Sequence, residues 1–276
     1  MALEEILQRI ISQARANTIQ VDSQIAHRNG MGKISKQSSK YKCSKCKDTT
    51  WILNTDGEVI ARCECYQADY TRRLWENYGI KPEEVKKLNE YKPFNALTNS
   101  LKTKASNYIL QFNEIYATRE NGFGILGQSG AGKSHVSIAI GAALLSMGHK
   151  VIYMPYLEAM RELKANSMDD EYYFKLVNRY KMAEVLVIDD LFKDKVKSGK
   201  LTGDLTEADM KHIYPILNYR YNNKLPTIFS TECDINMLLN LDEALAGRII
   251  ESCGENITVF RGSEYNYRLR NIRKAL

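Results

Sequence analysis

Gly127-Gln128-Ser129-Gly130-Ala131-Gly132-Lys133-Ser134 sets glycines, a lysine and a hydroxyl at the spacing that wraps a chain of phosphates. The glycines let successive backbone N–H groups turn toward an anion, and a helix starting there adds positive potential. The flanks fit this reading. Gly124-Ile125-Leu126 reads as the end of a buried strand, and His135 to Met147 as a helix with Val136, Ile138, Ala139, Ile140, Ala143 and Leu144 available for packing. Lys133 then reaches the β- and γ-phosphates of a nucleotide, and the Ser134 hydroxyl binds Mg²⁺. His135 closes the run of expected nucleotide contacts.

Carboxylates complete the chemistry. Val185-Leu186-Val187-Ile188-Asp189-Asp190 is an apolar run ending in two acids. Four aliphatic residues in a row suit a strand buried on both faces of a parallel sheet. Ligands bind at the C-terminal ends of such strands. Asp189 is expected to hold Mg²⁺ through water, and Asp190 to polarise the water that attacks the terminal phosphate.

Four of the six cysteines cluster as Cys43-Ser44-Lys45-Cys46 and Cys63-Glu64-Cys65. Asp56-Gly57 lies between two apolar runs in the segment that joins them, which is a hairpin signal. A hairpin brings the pairs together, and four thiolates around one point make a structural zinc site. The C-x-C form of the second pair departs from the usual spacing, and two disulfides or free thiols are the alternatives. Cys233 and Cys253 read as small core residues.

Composition sets the bounds. The chain has 276 residues, room for one or two domains. With 44% hydrophobic and 26% charged residues it is an ordinary globular protein, and its net charge of +6 mildly favours an anionic partner. Glu4 and Glu5 near the start and the lack of a long apolar run argue against a signal peptide or a membrane span. A soluble, cytoplasmic protein without membrane contact is expected.

The elements that must position these residues follow from periodicity. Leu3, Ile6, Leu7, Ile10, Ile11 and Ala14 predict an opening amphipathic helix. Residues 68–78 and 82–90 read as helices, and a break at Tyr91-Lys92-Pro93-Phe94 marks the expected boundary between a region 1–90 and a region 91–276. Beyond it, strands are predicted at 122–126, 151–155, 185–189, 226–231 and 256–260. Helices are predicted at 101–117, 134–147, 157–166, 169–182, 205–223, 235–240, 242–251 and 264–275. The fold class is α/β: a P-loop ATPase domain with a parallel sheet and flanking helices, preceded by a small helical zinc-binding domain with a β-hairpin.

The motifs GQSGAGKSH and VLVIDDLF, together with CSKCKDTTWI…CEC, make the chain resemble the DnaC/DnaI-type helicase loaders of the AAA+ ATPases, found in bacteria and their phages. The resemblance covers nearly the whole chain. PTIFSTE occupies the place of the sensor-1 strand, which makes Ser230 and Thr231 the polar sensors and Glu232 a departure. EALAGRIIE resembles the segment with the trans-acting arginine finger, and GSEYNYR the sensor-2 segment. Arg248 and Arg268 are the corresponding residues. Asp190 stands where most AAA+ proteins have Glu, as is usual in this branch.

The resemblance implies ATP hydrolysis with Mg²⁺, self-association through the ATPase domain, and a zinc domain that holds a hexameric replicative helicase for delivery to single-stranded DNA. Lys193, Lys195, Lys197 and Lys200 are candidate DNA contacts, with Phe192 either stacking on a base or joining the core. An IstB-like transposition ATPase acting with a transposase is the alternative. A small-molecule kinase fits less well with the second Asp and the zinc module. A GTPase is disfavoured because Asn223-Lys224-Leu225-Pro226 lacks the base-reading Asp.

Overall fold

A computed structural model describes residues 41–269, so the expected opening helix lies outside the described residues. The chain divides into two compact units, residues 1–49 and 50–276. In the first unit, residues 41–49 form turns, with the Asp48 carboxylate accepting from the backbone N–H groups of Lys42 (3.1 Å) and Cys43 (2.8 Å).

The second unit opens with an antiparallel hairpin, β1 (Trp51–Leu53) and β2 (Val59–Arg62), turning at Asp56-Gly57 as its residues predict. Helix α1 (Glu64–Glu76) follows. It buries Trp75 completely and aims the indole Nε1–H at the Val151 carbonyl, 2.8 Å away. Next come α2 (Ala96–Leu110) and the short α3 (Phe112–Ile115).

The body of the unit is a five-stranded parallel sheet made of β3 (Phe123–Gly127), β4 (Val151–Pro155), β5 (Val185–Leu191), β8 (Thr227–Thr231) and β9 (Ile257–Phe260). A small hairpin, β6 (Val196–Lys197) and β7 (Lys200–Leu201), lies between β5 and β8 in sequence. The sheet order is β4-β5-β8-β3-β9. Trp75 thus closes part of the edge that β4 would otherwise expose.

Side-chain alternation divides the interior. Val185 and Val187 join one core with Phe123, Ile125, Val151 and Tyr153, whereas Leu186 and Ile188 join another with Leu126, Met154 and Phe229. Helix α4 (Lys133–Ser146) supplies Val136, Ile140 and Leu144 to the first. Helices α5 (Tyr156–Ala165), α6 (Asp170–Lys181), α7 (Glu207–Asn222), α8 (Ile235–Leu241) and α9 (Glu243–Cys253) feed the second. A strand buried on both faces has no polar alternation, which is why these runs read as continuous apolar segments.

At the N-terminal ends of β5 and β8, the buried Arg220 of α7 donates to the carbonyls of Tyr180 (3.0 Å), Ala183 (2.7 Å) and Pro226 (2.6 Å), and to Thr227 Oγ1 (2.9 Å). Burial pushes its guanidinium down to about 9.

Four expected helices differ. The 68–78 helix starts earlier, at Glu64. The 101–117 helix begins at Ala96, because the Asn95 side chain accepts from the Thr98 N–H in a capping box. It breaks at Gln111, where the chain turns to bury Phe112 against Tyr108. Residues 82–90 make two 3₁₀ turns, Pro82–Glu84 and Leu88–Glu90, since too few apolar residues recur there to bury a helical stripe. Residues 264–269 form 3₁₀ turns around an extended Asn266, and the rest of that expected helix lies outside the described residues.

Candidate functional site

The sheet order explains how distant residues meet. Strand β8 lies between β3 and β5, so its C-terminal end separates the glycine loop after β3 from the acids ending β5. All three ends face a cavity of about 790 Å³ lined by residues 129–135, Asp190, Lys193 and Glu232. Tyr91, Phe94, Tyr267 and Arg268 supply another wall.

In the loop, Gly132 (φ +84°) caps α4, and a Cβ there would come within 2.8 Å of the Tyr91 ring. At Gly127 (φ +93°) a Cβ would collide with the Phe260 carbonyl oxygen at 2.1 Å. Lys133 is buried, with Nζ donating to the carbonyls of Gly127 (2.8 Å) and Gln128 (3.0 Å). Burial pushes its ammonium down, while Glu232 and Asp190 pull it back up. Ser129, Gly130, Ala131 and Ser134 line the cavity directly. His135 reaches the same wall, its ring edge-on to Tyr91 and Nε2 3.4 Å from the Lys87 carbonyl.

Ser230 ties the acids together. Its hydroxyl donates to Asp189 Oδ1 and accepts from the Asp190 N–H at 2.9 Å. Tyr153 donates to Asp189 Oδ2 at 3.3 Å. Asp190 sits at φ +57°, a left-handed conformation that Asp tolerates better than most residues. Burial pushes its carboxyl up, as does Asp189, against the pull of Lys193 and Lys133.

Thr231 turns elsewhere. Its hydroxyl donates to the Leu191 carbonyl at 2.6 Å and accepts from the Cys233 N–H at 3.1 Å. Glu232, the sequence departure, is the residue that lines the cavity, ion-paired with Lys193. Its pairing was not legible in the sequence, although the unusual acid after Ser230-Thr231 signalled that position.

The two arginines separate. Arg268 borders the cavity. Arg248 does not. It lies within α9, with its guanidinium over the Tyr214 ring and Nη1 3.3 Å from the Ala244 carbonyl. The lysines of the 193–200 segment also divide. Lys195 is bound to Asp209 (2.7 Å) and Asp194 (3.3 Å), whereas Lys197 and Lys200 are exposed on the β6–β7 hairpin. Phe192 is core, packed edge-on to Tyr156.

The sulfur atoms of Cys43, Cys46, Cys63 and Cys65 all lie within 4.8 Å of one another, with Cys46 and Cys63 buried. Four converging thiols are a donor set that fits tetrahedral zinc. Cys233 and Cys253 are fully buried core residues. No helix among the described residues is long and apolar enough to cross a membrane.

This sheet, with its glycine loop and paired acids, defines a P-loop type of nucleotide-binding protein. Residues 80–275 match the model of the IstB-like ATP binding protein family, and the chain belongs to that family. XkdC, a protein of the phage-like element PBSX in Bacillus subtilis (strain 168), is 32% identical over 250 residues, 86% of this chain and 89% of that one. A structure of the replication initiator DnaA bound to AMPPCP and single-stranded DNA shares the fold, at TM-score 0.51 and 17% identity over 69% of this chain and 54% of that one. A crystal structure of the DnaC helicase loader aligns over 69% of this chain and 99% of that one, at TM-score 0.49 and 23% identity.

Proposed function

We propose that this protein is an ATP-dependent helicase loader, which binds a hexameric replicative helicase and delivers it to single-stranded DNA during DNA replication. The observation that carries this reading is the convergence of Cys43, Cys46, Cys63 and Cys65 ahead of the ATPase core. These cysteines precede residue 80, where the family match begins. They correspond to the zinc module in the resemblance to DnaI-like loaders.

In this reading residues 1–90 recruit the helicase and residues 91–276 bind and hydrolyse ATP in the cytoplasm. Gly127 to His135 hold the phosphates, with Lys133 as the mobile cation. Ser134 and Asp189 hold Mg²⁺, which neutralises charge on the phosphate oxygens. Asp190 orients the attacking water, Ser230 fixes both acids, and Thr231 braces the strand end. Arg268 acts from within the chain and Arg248 from a neighbouring subunit. Asp190→Asn should therefore retain ATP binding and lose turnover.

Zinc at the four cysteines would lock the hairpin, since metal binding and folding are coupled in such modules. Metal analysis of protein purified without chelator should find about one zinc per chain. Cys46→Ser should release it while nucleotide binding persists.

The second reading, a transposition ATPase acting with a transposase, is favoured by the family match itself. Light scattering of the full-length protein mixed with the hexameric helicase, and separately with a transposase, separates the two. A helicase complex lost in Cys46→Ser supports the loader. A transposase complex without a helicase complex overturns it.

A further inference from the structure

Five ionisable groups are coupled at the strand ends around the phosphate loop: Lys133, Lys193, Asp189, Asp190 and Glu232. Three are acids. A polyphosphate entering there meets an excess of negative charge, and Glu232 raises the barrier most directly because it follows β8, between the loop and the Asp pair. An unpaired carboxylate at this half-buried position would be costly. Lys193 answers that charge by pairing with Glu232.

The pair joins two strand ends beside the phosphate loop. Lys193 lies on the turn that leaves β5, three residues beyond Asp190. Glu232 leaves β8 and lines the cavity together with Ser129 of the phosphate loop. Burial works against the Glu232 charge, but Lys193, Ser129 and Lys133 hold its carboxyl below the usual carboxylate range. Lys193 is about one-third exposed, against 13% for Glu232. The lysine is thus the partner free to swing on its flexible stem.

We propose that Lys193 is a second phosphate-binding cation, held by Glu232 and transferred to the terminal phosphate of ATP. The inference rests on reading the cavity as the ATP site and adds to it a residue that discriminates ATP from ADP. Lys193 shares its turn with Asp190, the residue assigned to the attacking water, so it approaches the phosphates from the terminal side. One ammonium cannot fully serve a carboxylate and a phosphate together. Glu232 therefore competes with nucleotide, and the two residues have opposite effects on affinity.

Binding of a fluorescent non-hydrolysable ATP analogue and of ADP to the full-length protein tests this, with melting curves alongside. Lys193→Ala should weaken the analogue roughly tenfold and ADP less than about threefold, the loss expected for one charge-assisted contact. Lys193→Met, which keeps the stem, should do the same. Glu232→Gln should tighten the analogue several-fold, and the double variant should fall between the singles. Equal affinities in all variants, or weaker analogue binding in Glu232→Gln, overturn the proposal while leaving the ATP site intact. A wild-type protein that binds neither nucleotide overturns both.

Discussion

Lys133 and Arg220 are buried cations at opposite ends of the same parallel sheet, and they are solvated differently. Arg220 saturates itself at the N-terminal ends, on four backbone carbonyls and a threonine hydroxyl. Lys133, at the C-terminal end of β3, touches two loop carbonyls and faces an open cavity. Arg220 joins segments that must not move. Lys133 keeps donor capacity for something that arrives. A buried positive charge thus marks a site when its donors are unsaturated beside a cavity, and a brace when they are fully spent on backbone.

The largest effect should come from a cation of neither kind. Arg248 is half-buried, outside the nucleotide cavity of its own chain, which suits a role in a neighbour's site. An arginine supplied in trans is worth about 10³–10⁵ in rate. Arg248→Ala should bind ATP normally and lack the rise in turnover with concentration expected of wild type. Mixing it with Lys133→Ala should restore part of the activity, because one supplies a sound nucleotide site and the other a sound arginine. A dead mixture from variants that still co-assemble would remove Arg248 from the mechanism.

Lys133 and Arg220 should then fail in opposite assays. Lys133→Ala should lower nucleotide affinity by roughly a hundredfold, the scale of two lost charge-assisted contacts, with little change in melting. Arg220→Met should cost roughly 3 kcal/mol or more of stability, since several carbonyls lose their donor together. Its affinity should survive at temperatures where it stays folded. Equal loss of stability in both variants would erase the distinction.

The smallest effect separates two more lysines. Lys197→Ala with Lys200→Ala should weaken single-stranded DNA binding several-fold and flatten its salt dependence without altering the fold. Lys195→Ala should instead destabilise the protein, because it strips a partner from the buried Asp209. A salt slope unchanged in the Lys197/Lys200 variant would assign that hairpin no DNA contact.

The sequence announced Lys133 and concealed Arg220. Lys133 sits in a short motif whose spacing is dictated by the ligand, so local residues suffice. Arg220 occupies a helix position where a solvated arginine is the ordinary expectation, and its partners lie up to 40 residues away. The strands were legible for the same reason as Lys133. Val185 to Ile188 are apolar throughout because helices cover both faces of the sheet. The failures were local too. Asn95 capping α2 depends on a particular hydrogen bond that periodicity does not encode, and residues 82–90 lack the apolar recurrence that would bury a helix. The Lys193–Glu232 pair could not be read because strand order, not sequence distance, brings its members together.

Trp75 has a spectroscopic consequence. The protein has two tryptophans. Trp75 is sealed against Tyr153, whose hydroxyl reaches Asp189, whereas Trp51 sits partly exposed on the hairpin beneath the Arg62 guanidinium. An indole in an apolar enclosure emits to the blue of one that water can reach. Intrinsic fluorescence from the unlabelled protein therefore carries two separable bands, one following the β4 edge beside the nucleotide acids and the other the cysteine-flanked hairpin. Chelator should disturb the red band first, and denaturant the blue.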